Sequence, residues 1–148
     1  MSHVDQPSPF EPVAVDLRDY VVFHPDKVVT QRVLATDVVA IDLVCLEPQQ
    51  VIGVRTFATA DVVYTVVGGR AWIVTDAAEA TLEPLQSVMV PAEVPHGVRN
   101  DSPDPLILQV VVSPPDEVPT ASGPPPTPRK AAKQKRSAAN RLRKALGG

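Results

Sequence analysis

The sequence contains a single cysteine, Cys45, and aromatic residues make up only 4% of the chain. One cysteine excludes an intrachain disulfide, and it excludes zinc or iron–sulfur sites built from several cysteines of one chain. Because aromatic side chains are scarce, the core has to be aliphatic, and valine pairs recur along the chain. Side chains branched at Cβ suit pleated sheet better than helix. The composition therefore predicts a β protein and argues against an all-helical one.

Long apolar runs are also missing. A membrane-spanning helix needs roughly 20 consecutive apolar residues, and the longest runs here are interrupted by Asp42 and Gln109. Residues 1–7 contain neither a basic nor an apolar region of the kind that signal peptides have. We therefore expect a cytoplasmic protein without a membrane span.

The charges are distributed unevenly along the chain. Residues 1–120 contain all 17 acidic residues and six of the 14 lysines and arginines, whereas residues 121–148 contain eight basic residues and no acid. Such an asymmetry is typical of a basic tail attached to an acidic domain.

Short β-like runs separated by turn residues fill the middle of the chain. Strands are predicted over 12–15, 20–23, 28–35, 38–46, 50–56, 62–67, 70–75, 78–82, 87–90, 97–100 and 106–112. Gly68 and Gly69 lie between two of these runs, which predicts a β-hairpin with a tight turn. About this many strands at this spacing are typical of a sandwich or barrel.

The 17 prolines help to divide the chain into segments. We predict a disordered N-terminus over 1–9, a β-barrel domain over 10–113, an extended proline-rich linker over 114–128, and a basic, helix-prone tail over 129–148.

A motif near the end of the barrel region carries a family resemblance. The run Pro91-Ala-Glu-Val-Pro-His96-Gly-Val-Arg-Asn100 resembles the second motif of the cupin superfamily: glycine, five residues, Pro-x-Gly, two residues, histidine, three residues, asparagine. Leu85 and Glu93 stand where that motif has its two glycines. The resemblance implies an all-β, double-stranded β-helix (jelly-roll) barrel of the RmlC-like type.

The first cupin motif is degenerate in this chain. It usually reads glycine, five residues, His-x-His, three or four residues, glutamate, six residues, glycine. Gly69 matches the closing glycine and Gln49 replaces the opening one, and Arg55, Phe57 and Val62 occupy the positions of the two histidines and the glutamate.

Three of the four residues that bind the metal in the family are therefore replaced. Phenylalanine and valine have no lone pair to donate, and arginine is a permanent cation. His96 alone cannot hold a divalent metal tightly. We expect a degenerate metal site with no bound metal and no cofactor.

The same positions, together with Tyr64, form the candidate ligand site. Tyr64 shares the strand phase of Val62 and should point inward. Arg55 either meets an anion inside the barrel or is solvated at its rim. Phe57 and Val62 either line the pocket or simply fill the core. His96 either caps a turn or acts in the pocket as an acid or base.

Three functions follow from these features. The first is a non-catalytic, metal-free cupin-like module that binds a small polar or anionic molecule or a protein partner. The second is a metal-independent isomerase-type or lyase-type enzyme in which His96 is the general acid/base. The third is association with nucleic acid or another polyanion through residues 129–148. The family resemblance also implies a homodimer that pairs edge strands from 20–35.

Overall fold

The structure is a computed structural model that describes residues 12–127. Three of its strands, Asp61–Gly68, Ser87–Val90 and Leu106–Ser113, show the period-two burial that is typical of a sheet with one buried face. The ten strands are β1 (Val29–Ala35), β2 (Ala40–Leu46), β3 (Val51–Thr56), β4 (Asp61–Gly68), β5 (Ala71–Thr75), β6 (Glu79–Leu82), β7 (Ser87–Val90), β8 (His96–Arg99), β9 (Leu106–Ser113) and β10 (Thr120–Ala121). Within residues 12–127, no helix is long and apolar enough to cross a membrane.

The strands form two antiparallel five-stranded sheets with a core between them. The first sheet has the order β1-β2-β9-β4-β7, and the second has the order β10-β3-β8-β5-β6. The core between the sheets is mostly aliphatic and includes Val62, Val66, Ile73, Val98 and Leu108. The predicted all-β jelly-roll barrel is therefore confirmed.

Two of the predicted strands are wrong. Residues 12–15 form no strand, and of residues 20–23 the first ends a 3₁₀ helix over Leu17–Tyr20 and the other three form no strand. The Asp16 carboxylate accepts the backbone N–H of Arg18, and such a local hydrogen bond offers the chain an alternative to a sheet ladder. The predicted homodimer depends on edge strands in residues 20–35, and β1 is the strand that the structure forms there. Dimerisation stays a prediction.

The predicted hairpin at Gly68 and Gly69 is also wrong. β4 and β5 belong to different sheets, so this segment carries the chain from one sheet to the other. Gly69 has a φ of 87°, as the tight turn requires. A Cβ atom on Gly69 would collide with the carbonyl oxygen of Pro105. Glycine is therefore needed at position 69, where the chain crosses between the sheets and does not form a hairpin.

The segment after β9 differs from the extended linker predicted for 114–128. Residues 114–125, here called the strap, run along the barrel and contact both sheets. β10 pairs with the end of β3, and the backbone of Val54 is bonded to both Ser122 and Gly123. A proline-rich segment can lie along a barrel in this way because it is already extended and few of its residues need a partner for an N–H group. The segments predicted for 1–9 and 129–148 lie outside the described residues.

The three residues that replace motif glycines have an unusual backbone conformation. Gln49, Leu85 and Glu93 have φ values of 72°, 71° and 73°, and they are the only non-glycine residues within 12–127 with positive φ. Left-handed backbone is favourable for glycine and costs other residues about 1–2 kcal/mol. The turns of the two motifs have therefore kept a glycine-type backbone although the glycines are gone.

This conformation makes a glycine substitution stabilising. Leu85 is 87% exposed, so Leu85→Gly loses little packing. It relieves the left-handed strain but makes the unfolded chain more flexible, which costs about 0.4–1 kcal/mol. We expect a net gain of about 0.5 kcal/mol in the free energy of unfolding, measured by urea denaturation.

The matched control is Met89→Gly, at an exposed position within β7 that lacks positive φ. That variant should be less stable by about 0.5–1 kcal/mol, since glycine weakens a strand. If Leu85→Gly loses as much stability as the control, the left-handed turn is not strained.

Candidate functional site

Four of the five predicted site residues meet inside the barrel. Arg55 of β3 and His96 of β8 are direct neighbours across the second sheet. Tyr64 of β4 reaches them from the first sheet, and the ring of Phe57 stacks beside that of His96, with 6.4 Å between centroids. The group therefore connects the two sheets through polar and aromatic contacts.

The polar members form a chain of hydrogen bonds with a defined direction. His96 Nδ1 lies 3.0 Å from the carbonyl oxygen of Val94. Because a carbonyl oxygen only accepts, Nδ1 carries a hydrogen and Nε2 of the neutral ring is the acceptor. The Tyr64 hydroxyl, 2.7 Å from Nε2, donates to it. Arg55 Nη2 in turn donates to the Tyr64 oxygen over 3.0 Å, so the chain runs from Arg55 through Tyr64 to His96.

Burial determines the protonation states of this chain. Tyr64 is fully buried and His96 is 1% exposed. Burial raises the pKa of Tyr64, although the charge and hydrogen bond of Arg55 oppose the rise. Burial lowers the pKa of His96, and the Arg55 charge lowers it further against the opposing bond to Val94. Neutral tyrosine and neutral histidine are the forms that the hydrogen-bond directions require.

Val62, the fifth predicted residue, is a core residue. It is fully buried and lies between Val90 and Val112 on the neighbouring strands. Its neighbour Asp61 points outward and accepts the backbone N–H of Ala92, as strand alternation predicts. Val62 therefore belongs to the packing of the first sheet.

A cavity of about 370 Å³ opens beside the polar chain. Its polar lining residues are Thr30, Arg32, Asp42, Arg55 and Glu117. The rest of its wall is apolar, with Phe57 and Val110 among the contributing residues. Tyr64 and His96 are not part of the wall. They are buried behind Arg55 and Phe57, which line the cavity.

The two arginines of the cavity differ in their partners. Arg32 forms an ion pair with Asp42, its neighbour across β1 and β2, with 2.9 Å between Nε and Oδ1, and it lies 3.5 Å from Asp116. Arg55 has no carboxylate within ion-pair distance among residues 12–127, and its buried Nε has no hydrogen-bond partner there. The Arg55 guanidinium lies 5.1 Å from the centre of the Phe57 ring, a favourable cation–π distance. Arg55 is therefore the cation of the cavity that forms no ion pair with any residue the structure describes.

Comparison with known proteins places this barrel in a family. TT1209 from Thermus thermophilus is 33% identical, and the match covers 68% of this chain and 96% of that protein with a TM-score of 0.66. An RmlC-like cupin from Desulfovibrio desulfuricans is 20% identical over 71% of this chain and 99% of its own, with a TM-score of 0.64. The chain therefore belongs to the same family as TT1209, and it has the cupin fold.

Another cupin-fold relative is an uncharacterized conserved protein with a double-stranded β-helix domain from Klebsiella pneumoniae. It is 20% identical over 76% of this chain and 98% of its own, with a TM-score of 0.69. No family model matches the sequence, and no curated protein matches it.

The residues of this chain do not fit the metal that the cupin motif holds. Arg55, Phe57 and Val62 occupy three of the four ligand positions, and the fourth residue, His96, uses both ring nitrogens in hydrogen bonds. Within residues 12–127, no group of three or more histidine, cysteine, aspartate or glutamate side chains is placed to hold a metal ion. An arginine at this position repels a cation and attracts an anion.

Three charged residues of the cavity wall were not predicted from the sequence: Arg32, Asp42 and Glu117. Asp42 interrupts an apolar run in the sequence. That position is itself a signal, because a carboxylate within a buried strand usually has a charged partner. Glu117 lies in a proline-rich segment, where no local pattern indicates contact with the barrel.

Proposed function

We propose that this chain is a metal-free binding module that holds a small anionic molecule in the barrel cavity, with Arg55 as the anion-binding residue. The observation that carries the proposal is the position of Arg55 in the cavity wall without a carboxylate partner among residues 12–127. A partly desolvated cation of this kind gains strongly from a carboxylate or phosphate, and guanidinium groups bind both in bidentate fashion.

The hydrogen-bond chain behind Arg55 supports this role. The Tyr64 hydroxyl accepts a hydrogen bond from Nη2 of Arg55 and is itself bonded to His96. The two residues thereby hold the guanidinium in place. A cation that is already oriented loses less conformational entropy on binding. Tyr64 and His96 thus act as positioning residues for Arg55.

The same burial argues for binding over catalysis. A general acid or base has to reach the substrate directly or through one water molecule. His96 is buried and bonded at both nitrogens, and it does not reach the cavity. We therefore favour the binding module over an enzyme that uses His96.

The proposal is tested by measuring the melting temperature with a panel of small carboxylates and inorganic phosphate. At a concentration one hundred times its dissociation constant, a bound anion stabilises the fold by about 2.7 kcal/mol. This stabilisation should be present in the wild type and absent in Arg55→Ala. Arg18→Ala is the matched control, because Arg18 contacts only the neighbouring Asp16 at the surface.

Two results would contradict the proposal. An equal stabilisation of the wild type and Arg55→Ala would place the anion elsewhere. No stabilisation by any anion of the panel would leave the cavity without an anionic ligand.

A further inference from the structure

The strap forms one wall of the proposed ligand cavity. Pro115, Glu117 and Pro119 line the cavity, whereas the Asp116 side chain is 89% exposed and Val118 is 88% exposed. This alternation is that of an extended chain with one face toward the cavity. The strap is therefore placed where an occupant of the cavity would touch it.

Glu117 fastens the strap to the loop between β3 and β4. Its carboxylate accepts the backbone N–H groups of Ala58, Thr59 and Ala60, the latter two over 2.9 and 3.1 Å, and the Thr59 hydroxyl over 2.7 Å. Backbone N–H groups that converge in this way form a binding site for an anion. The hydrogen bonds from Thr59 are the main cause of a lowered pKa at Glu117.

The 58–60 loop follows Arg55 closely in the chain. Only Thr56 and Phe57 separate Arg55 from Ala58, so the two residues are at most about 10 Å apart along the backbone. The cavity wall contains two cations, Arg32 and Arg55, and two anions, Asp42 and Glu117, but the Glu117 carboxylate is bonded to the 58–60 loop and not to Arg55. Displacing Glu117 would leave one cation in excess beside a free set of N–H donors.

We propose that the 58–60 loop is a second anion site, that Glu117 occupies it as an internal ligand, and that the cavity takes a small molecule with two anionic groups. One group binds Arg55, and the other takes the place of Glu117 and displaces the strap. This inference rests on the proposed function, and it narrows the ligand class from small anions to small dianions such as dicarboxylates.

The test is a calorimetric titration of the full chain with propionate and butyrate as monoanions and with malonate, succinate and glutarate as dianions. The best dicarboxylate should bind the wild type at least tenfold more tightly than either monocarboxylate. In the wild type, the Glu117 carboxylate competes with the dicarboxylate for the 58–60 loop at a millimolar effective concentration, because it is tethered by the chain. Without this competitor, Glu117→Ala and Glu117→Gln should bind that dicarboxylate about tenfold more tightly than the wild type. Their affinity for monocarboxylates should not change.

Two further variants make the test specific. Val118→Ala is the matched control in the strap, because Val118 faces outward, and it should behave like the wild type. Thr59→Val combined with Glu117→Ala removes the hydroxyl of the second site without the competing carboxylate, so it should bind dicarboxylates less tightly than Glu117→Ala alone and leave monocarboxylate binding unchanged. In the wild type, the dicarboxylate should also speed amide exchange at Ser122, whose N–H is bonded to Val54 while the strap is in place.

The outcomes separate this inference from the proposed function. If monocarboxylates and dicarboxylates bind equally, or if neither Glu117 variant binds dicarboxylates more tightly, the second site is refuted while Arg55-dependent binding stands. If no anion binds in an Arg55-dependent manner, both proposals fail.

Discussion

Replacing Gly69 with alanine is expected to lower the free energy of unfolding by about 3 kcal/mol, from left-handed strain of about 1–2 kcal/mol and the clash of the new Cβ with neighbouring backbone. The clash is with the carbonyl of Pro105 and with Leu106, which are backbone atoms that cannot turn aside. Denaturant unfolding followed by fluorescence of the single tryptophan, Trp72, measures the change.

Gly123→Ala is the matched control for this substitution. Gly123 also has positive φ, 99°, but a Cβ there meets no atom within 4 Å. It should therefore lose only about 1 kcal/mol, which is the backbone strain alone. If both variants lose the same amount of stability, the crossover at Gly69 has room for a side chain, and the close contact between Gly69 and Pro105 does not limit the size of the residue.

Ending the chain after Ser113 is the second change with a large expected effect. It removes the backbone bonds that Val54 accepts from Ser122 and donates to Gly123, and the bond that Arg99 donates to the Pro125 carbonyl. At about 1 kcal/mol each, these three bonds give a loss of about 3 kcal/mol, to which the loss of the bonds accepted by Glu117 adds. The shortened protein should also lose its stabilisation by anions, because the cavity loses the wall formed by Pro115, Glu117 and Pro119.

The comparison for this experiment is a chain that ends after Thr127. It lacks the same basic residues as the shorter chain but retains the strap, so the difference between the two truncated proteins measures the strap alone. Chemical denaturation of both, with and without the best-binding anion, gives the two quantities. Equal stability of the two truncated proteins would return residues 114–127 to the role of a linker.

Part of the barrel interior could be predicted because burial alternates regularly along the first six residues of β4. His96 and Gly69 match the spacing of the two motifs, and this match assigns Val62 to a position that points into the barrel. Strand alternation then predicts that Tyr64 also points inward and that Asp61 points outward. The turn positions followed the same register, since Gln49, Leu85 and Glu93 have the backbone that the motif glycines would have. The ligand-binding roles of Arg55, Phe57, Tyr64 and His96 stay predictions.

The strap and the second polar pair of the cavity could not be predicted, because their partners are distant in sequence. Glu117 is bonded to a loop some 58 residues earlier, and Arg32 meets Asp42 only after β1 and β2 have paired. A proline-rich composition indicates an extended chain, but it does not say what the chain lies against. The two glycines at 68 and 69 likewise indicate a tight turn and cannot distinguish a hairpin from a crossover.

The buried His96 makes the barrel sensitive to acid. Its pKa in the folded protein lies below its ordinary value of 6.5, mainly because of burial. The unfolded chain therefore takes up a proton first as the pH falls, and stability is lost from about pH 6.5 down to the folded-state pKa. Protonation would also convert Nε2 from an acceptor into a donor facing the Tyr64 hydroxyl, which already accepts from Arg55. Acidification thus weakens both the fold and the hydrogen-bond chain that supports Arg55.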